Sequence, residues 1–310
     1  MYKIYKDVQN VCTEIDGVEP NCWVNFSEPT PTDLEFLENK FSIDRSHIND
    51  ALDPEERARI EQDEDTLVII LKLPVRETRD DGVHYSTIPL GIFIKEGIII
   101  TICGMNHSVI SDFLEGRVKH FDLNKRSRFL LQILFRTATY YLRDLKEIRN
   151  VINDIERRLH RSQRNKHLIK LLELEKGLVY YATSLTSNGL IFERLHRSKL
   201  IPMYEDDLDL LEDVMIENKQ AIDMVSVYSN ILSGMMDAYA SIISNNLNKV
   251  MKTLTVITII LMLPTLVASF YGMNVELPFQ DSPLAFLITI AISLSLSVTA
   301  FLVFFFRRWV

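Results

Sequence analysis

Asn248, Met251, Thr255, Thr258, Met262, Thr265 and Ser269 recur at intervals of three or four along a stretch that is otherwise mostly apolar. That spacing puts them on one face of a helix. Of the five hydroxyl residues from Thr253 to Ser269, only Thr253 lies off the line. Hydroxyls facing lipid are poor choices, whereas a line of them facing other helices or water is sensible. In the same phase the line runs back through Ser244, Ser241, Asp237, Gly234, Asn230, Val227, Asp223, Gln220, Ile216, Asp213 and Asp209, the heptad average of helices that supercoil together. Two readings fit it: the wall of a water-filled axis enclosed by several copies, or a bundle in which Ser and Thr bond between helices. The chemistry on offer is that of oxygen. With no carboxylate between Asn248 and Ser269, the line can hydrogen-bond the water shell of a small, hard cation without holding it too tightly to leave. Met251 and Met262 would suit a soft ion, or serve as gap fillers or a hydrophobic constriction.

The element that positions this line is a helix from about Tyr204. From Met203 to Leu263 there is no proline and one glycine, Gly234, so it can run for roughly 90 Å. Leu254–Phe270 is uncharged, as is Leu284–Phe306. Two membrane spans joined by a short loop are the economical reading, two buried core helices the alternative. Lys249 and Lys252 precede the first span and Arg307 and Arg308 follow the second, while the loop between carries Glu276 and Asp281 and no Lys or Arg. The positive-inside rule then places both termini in the cytoplasm, with Tyr271 and Trp309 at the interfaces. Two spans are too few to enclose a pore, so conduction requires a homo-oligomer.

Tyr271-Gly272-Met273-Asn274 follows the first apolar helix, Asn248-Lys249-Val250-Met251-Lys252-Thr253-Leu254-Thr255 leads into it, and Arg307-Arg308-Trp309 closes the second. In these features the chain resembles the CorA family of magnesium channels, in detail from about Asp237 to Val310. The resemblance implies a homopentameric funnel with a large cytoplasmic domain. It also implies that Gly272, Met273 and Asn274 form the outer mouth that selects hydrated Mg²⁺, with Asn274 as the ring of ligands. A second Gly-Met-Asn, at Gly104 to Asn106, follows a segment interrupted by Lys95 and Glu96 and too short to span, and is assigned to chance.

The 310 residues are 47% hydrophobic and 25% charged with formal net charge -8, which suggests a soluble body on a small membrane part. The start of the chain is too polar for a signal peptide. The three separated cysteines, Cys12, Cys22 and Cys103, suit a reducing cytoplasm and lie outside both spans. The acidic balance argues against nucleic acid, and the seven histidines, none paired at i and i+4, argue against a transition-metal site. No phosphate-binding glycine loop or nucleophile cluster suggests an enzyme.

Up to about residue 116 the pattern predicts mixed α and β. Strands are expected at Lys3–Lys6, Cys22–Phe26, Leu67–Leu73, Ser86–Ile94 and Gly97–Cys103, with a hairpin at Gly97. The run Thr32-Asp33-Leu34-Glu35 predicts a capped helix starting near Asp33. Long antiparallel helices are expected over 125–200, breaking between His160 and Lys166. The basic run Arg157 to Arg164 is read as a contact for lipid head groups or acidic stalk residues, or as a solvated helix end. Glu205 to Asp213 opens the stalk with acids, which favour a helix start in any case. Asp209 and Asp213 share a face one turn apart. The resemblance implies a cytoplasmic Mg²⁺ sensor between subunits, with Asp213 as the stalk acid, Asp50 in His47-Ile48-Asn49-Asp50-Ala51-Leu52 as its partner, and Asp237 as a second acidic position nearer the pore.

The expectation is therefore an α+β membrane protein of the cell membrane. Its cytoplasmic α/β and helical domain covers 1–203, the stalk helix 204–252, the first span 253–271, the external loop 272–283, the second span 284–306 and a basic tail 307–310. The expected function is passive uptake of Mg²⁺, with Co²⁺ or Ni²⁺ as further cargo. A Zn²⁺ transporter of the same architecture and a non-conducting divalent-cation sensor remain open.

Overall fold

The computed structural model describes residues 2–8, 11–79, 82–159, 165–198, 200–279 and 283–307. The chain divides into two compact units, Met1–Met235 and Met236–Val310.

The first unit is built on a seven-stranded sheet. Its strands are β1 (Tyr2–Val8), β2 (Val11–Ile15), β3 (Trp23–Ser27), β4 (Arg59–Asp63), β5 (Thr66–Arg79), β6 (Gly82–Lys95) and β7 (Ile98–Cys103), in the order β2-β1-β3-β7-β6-β5-β4. Every neighbouring pair is antiparallel except β3 and β7. Alternation along the strands separates two cores. Ile69, Leu71, Leu90 and Ile92 bury into one, with Phe129, Leu130 and Leu134 of α4 (Arg126–Leu159) and Phe113 of α3 (Ser108–Leu114). Val68, Ile70, Phe93 and Ile102 face the other, with Leu37 and Phe41 of α1 (Pro31–Phe41) and Ile48 of α2 (Arg45–Asp50). Helices thus cover both faces of the sheet, as an alternating strand pattern with two apolar sides requires.

Four local expectations are corrected. The first helix is capped by Thr30, not Thr32: Asp33 reaches back to the Thr30 N–H at 2.9 Å, and Pro31 at the first position fixes the start two residues earlier. The strands expected at Leu67–Leu73 and Ser86–Ile94 extend to 14 residues each, running through Pro74 and Pro89, opposite Thr87 and Lys72, although proline cannot donate to the ladder. The five-residue edge strands β2 and β4, the second mostly polar, were not expected, nor were the short helices α2 and α3. The strand expected at Cys22 begins at Trp23. The hairpin at Gly97 is present: Lys95 pairs with Ile98, and Glu96 and Gly97 both take positive φ, as a two-residue turn demands. Gly91 has a different reason. A Cβ there would come within 2.4 Å of the Ala51 Cβ, so the glycine lets the end of α2 seat against β6.

Helix α5 (Asn165–Arg197) follows α4, and the expected break at 160–164 lies outside the described residues. A buried polar network joins these helices to the sheet. The Asn188 side chain bonds both the N–H and the C=O of Lys72, Tyr141 Oη donates to the Lys72 carbonyl at 3.1 Å, and Tyr181 Oη donates to Asp144 at 2.9 Å. Burial pushes the Asp144 carboxyl above its ordinary value of 3.8, partly opposed by Tyr181 and Arg143. The folded chain therefore holds this proton to higher pH than the unfolded chain. The stability it confers is complete below the ordinary Asp range and is lost as pH rises through the folded value. Asp144→Asn cannot ionise, so thermal unfolding of the full chain should show the variant gaining on wild type as pH rises above the ordinary Asp range. Parallel pH profiles would refute this.

Helix α6 (Glu205–Tyr271) begins in the first unit and ends in the second; its 67 residues correspond to about 100 Å. In the first unit Asp207, Leu211, Val214, Asn218, Ala221, Val225, Tyr228, Leu232 and Met235 are buried at alternating steps of four and three. Asn218 donates to the Leu185 carbonyl of α5 at 3.1 Å. In the second unit α6 is joined by α7 (Ala285–Phe306), and both helices are long and apolar enough to cross a membrane.

Candidate functional site

The polar line on α6 can be placed against what each unit buries. In the first unit Asp209, Asp213, Ile216, Gln220, Asp223, Val227, Asn230 and Gly234 are all exposed, about half a turn from the buried stripe. In the second unit Val256 and Val267 are buried, and Thr253, Ile260, Leu263, Pro264 and Tyr271 are half-buried on the same side. This is the side that meets α7, where Ser297 Oγ reaches the Ile260 carbonyl. Asp237, Asn248, Met251, Thr255, Thr258, Met262, Thr265 and Ser269 are exposed, roughly opposite that contact at about 100° per residue. The line is therefore not spent on holding the two helices of one chain together. It remains available for other copies or for water.

Hydrogen bonding decides what this face presents. Thr255 Oγ1 donates to the Met251 carbonyl at 2.9 Å, Thr258 to Leu254 at 2.8 Å and Thr265 to Leu261 at 3.2 Å. Each hydroxyl proton is taken by its own helix, so the outward aspect of the oxygen is its lone pairs. A hydrated cation shows water hydrogens to its surroundings and needs acceptors, and these oxygens supply them.

At its C-terminal end, α6 closes with the Gly272 N–H on the Ala268 carbonyl at 3.0 Å and the Met273 N–H on the Phe270 carbonyl at 3.1 Å. Tyr271 Oη donates to the Pro278 carbonyl at 3.2 Å and ties the following loop back to the helix end. Gly272, Met273 and Asn274 are exposed beside it. The other triplet, Gly104-Met105-Asn106, lies between β7 and α3 in the first unit, where Asn106 accepts from Ser111 at 3.2 Å. Asp281, Arg308 and Trp309 lie outside the described residues, as does Arg161 to Arg164 of the basic run. Within that run Arg157 donates to the carbonyl of Asn153 at 3.2 Å.

The acidic positions are not gathered within one chain. Asp209, Asp213 and Asp237 are exposed on α6, whereas Asp50 is half-buried at the end of α2. Among the described residues no cluster of three or more His, Cys, Asp or Glu forms a metal cage. Asp50 Oδ2 is held by Arg59 Nη2 at 2.7 Å, and Arg59 also engages Glu56 and Glu61. His47 lies between Glu61 at 3.3 Å and Asp63 at 3.1 Å. The sequence reading missed Arg59 because the contact crosses from a helix end to an edge strand that was itself not expected. It also missed Ser293 and Ser297 on α7, although their spacing of four is the small-residue pattern of packed membrane helices.

Comparison with known proteins follows the same lines. Residues 19–308 match the family described as CorA-like Mg2+ transporter protein. A cobalt/magnesium transport protein CorA from Methanocaldococcus jannaschii is 30% identical over 296 residues, covering 92% of this chain and 90% of its own. A protein of the same name from Thermotoga maritima is 25% identical over 279 residues, covering 87% and 77%. The complete structure of the CorA magnesium transporter from M. jannaschii superposes with a TM-score of 0.84 at 27% identity, covering 100% of this chain and 99% of that one. The full-length CmaX protein shares the fold, with a TM-score of 0.71 at 18% identity. On this match, with a soluble α/β domain, one long helix and two helices able to span a membrane, the chain belongs to the CorA-like Mg²⁺ transporter family, a family of ion transporters and not of enzymes.

Proposed function

We propose that this chain forms a homopentamer in the cell membrane and carries Mg²⁺ passively into the cell along the polar line of α6, with Co²⁺ or Ni²⁺ as further cargo. The observation that carries the reading is the exposure of that line opposite α7. Five copies with this face inward would enclose an axis walled by Asn248, Met251, Thr255, Thr258, Met262, Thr265 and Ser269. Their acceptor oxygens match a hydrated ion, and Gly272, Met273 and Asn274 form the outer mouth. An inside-negative potential favours entry of a divalent ion by about 4.6 kcal/mol per 100 mV, so no nucleotide is needed. Residues 1–203 and the stalk 204–252 then lie in the cytoplasm with the basic end 307–310. The spans are 253–271 and 284–306, joined outside by 272–283. The cobalt and magnesium in the relatives' names support the choice of cargo.

Regulation follows from the exposed acids. Asp213 of one copy and Asp50 of the next would share a cytoplasmic Mg²⁺, with Asp209 and Asp237 as further oxygen donors on the same face of α6. These are hard donors of the type Mg²⁺ accepts, and the cation screens carboxylates that otherwise repel. Internal Mg²⁺ thereby holds the oligomer closed, and its depletion frees the gate. Arg59, already paired with Asp50, competes for that carboxylate and sets the site toward modest affinity. In Mg²⁺ uptake by proteoliposomes, Asp213→Asn should raise the internal Mg²⁺ needed for half-closure by about tenfold, the equivalent of ~1.4 kcal/mol of lost cation binding. An unchanged closure curve would remove Asp213 from the sensor.

A further inference from the structure

Pro264 lies inside α6, seven residues before its end. Proline has no N–H, so the carbonyl four residues earlier, that of Ile260, loses its helical partner. In a hydrocarbon layer an unpaired carbonyl is costly, and the carbonyl freed by a proline is answered by a neighbouring helix, a Ser or Thr hydroxyl, water or a local change of helix pitch. The neighbour here is on α7. Ser297 Oγ stands 3.4 Å from the Ile260 carbonyl and 3.0 Å from the carbonyl of Ser293 in its own helix. Both acceptors lie within reach of a hydroxyl that has one proton to give.

The surroundings bring Ser297 there. On α7 the half-buried positions are Ala285, Ile288, Thr289, Ser293, Ser297, Ala300 and Phe304, small from Thr289 to Ala300 in helices otherwise rich in Leu, Ile and Phe. Small side chains let two helices approach closely enough for a short hydroxyl to reach across. On α6 the facing positions are Val256, Ile260, Pro264 and Val267. Ser295, by contrast, is exposed.

We infer that Ser297 is a positioning residue for the ion-path helix: its hydroxyl replaces the hydrogen that Pro264 cannot give to Ile260. Because Ser293 offers the same proton a second acceptor, the bond between the helices is relinquished without stranding the hydroxyl. The outer part of α6, which carries Thr265, Ser269 and the Gly272 to Asn274 mouth, is held at its proline by a contact that can be made and released. This transport consequence rests on the proposed function. The pairing of Ser297 with the proline does not.

The test is a double-mutant cycle on the full chain, Ser297→Ala and Pro264→Ala singly and together, with Ser295→Ala as control. It is read by thermal unfolding in detergent and by Mg²⁺ uptake in proteoliposomes. Alanine at 264 restores the N–H, so Ile260 no longer needs Ser297. Ser297→Ala alone is expected to lower the thermal midpoint by about 2 °C. It should also slow uptake by about threefold, the equivalent of the ~0.6 kcal/mol typical of such bonds between membrane helices. In the Pro264→Ala background it should change neither, and Ser295→Ala should be silent throughout. An equal loss from Ser297→Ala in both backgrounds, or no loss in either, overturns the inference, since a packing role does not depend on the proline. If wild type carries no Mg²⁺, the thermal cycle still decides the pairing, and the proposed function fails separately.

Discussion

Replacing Asn274 with alanine is expected to cut potential-driven Mg²⁺ influx by at least about tenfold while leaving the oligomer and its thermal stability intact. The reason lies in how the loop is held. The Gly272 and Met273 amides close the last turn of α6, and Tyr271 fastens the loop through Pro278. The Asn274 side chain is exposed beyond this anchored end, and truncating it leaves the Gly272, Met273 and Tyr271 bonds in place. Around a five-fold axis the side-chain carbonyls would form a ring that accepts hydrogen bonds from the water of an arriving ion. One such bond is worth about 0.5–1.5 kcal/mol. Loss of three in concert reaches, even at the low end of that range, the ~1.4 kcal/mol that corresponds to a factor of ten. The loop contains no Lys or Arg to repel a cation, so the loss falls on recognition at the mouth and not on long-range attraction. Dye-loaded proteoliposomes measure it; undiminished influx in the variant would move selection elsewhere.

The largest effect on stability is expected at Asp112, in the first unit. Its carboxylate is fully buried at the end of α3, accepts from Tyr140 Oη at 2.9 Å and Arg117 at 3.2 Å, and pairs with Arg136. Tyr140 and Arg136 are both on α4, so one carboxylate fastens α3 to that helix. Asp112→Ala leaves the Arg136 guanidinium, itself largely covered, without its counter-charge, and strands the Tyr140 hydroxyl. Breaking a buried pair from one side costs about 3–5 kcal/mol. Chemical denaturation of the full chain should show a loss of that size in the transition of the soluble unit. A loss under about 1 kcal/mol would mean that water reaches the arginine as it would on a surface.

What could be read in the sequence, and what could not, divides by the range of the signal. The long helix, the second span and the hairpin at Gly97 rest on local patterns: absence of proline, uncharged runs, a two-residue turn. The polar line on α6 was visible for the same reason, since three- and four-residue spacing is a property of one helix. The cap at Thr30 was missed by two residues because Thr30-Pro31-Thr32-Asp33 and Thr32-Asp33-Leu34-Glu35 compete for the same motif, and only the proline distinguishes them. The contacts that cross between elements left no local trace. Arg59 reaches Asp50 from an edge strand, Asp112 gathers α4 from α3, and Ser297 meets Ile260 across 37 positions of sequence. Pro264 itself was in plain view, but its consequence was not, because the group that answers it belongs to another helix.

Conduction along the α6 line would be read from wild-type Mg²⁺ influx into proteoliposomes loaded with a Mg²⁺-sensitive dye, with low internal Mg²⁺ and the membrane potential stepped. Influx is expected without nucleotide, growing as the interior is made more negative and stopping when potential and concentration gradients are both removed. No influx from verified, inserted protein at any potential, with a metal-dependent conformational change still present, would contradict it and leave a divalent-cation sensor in its place.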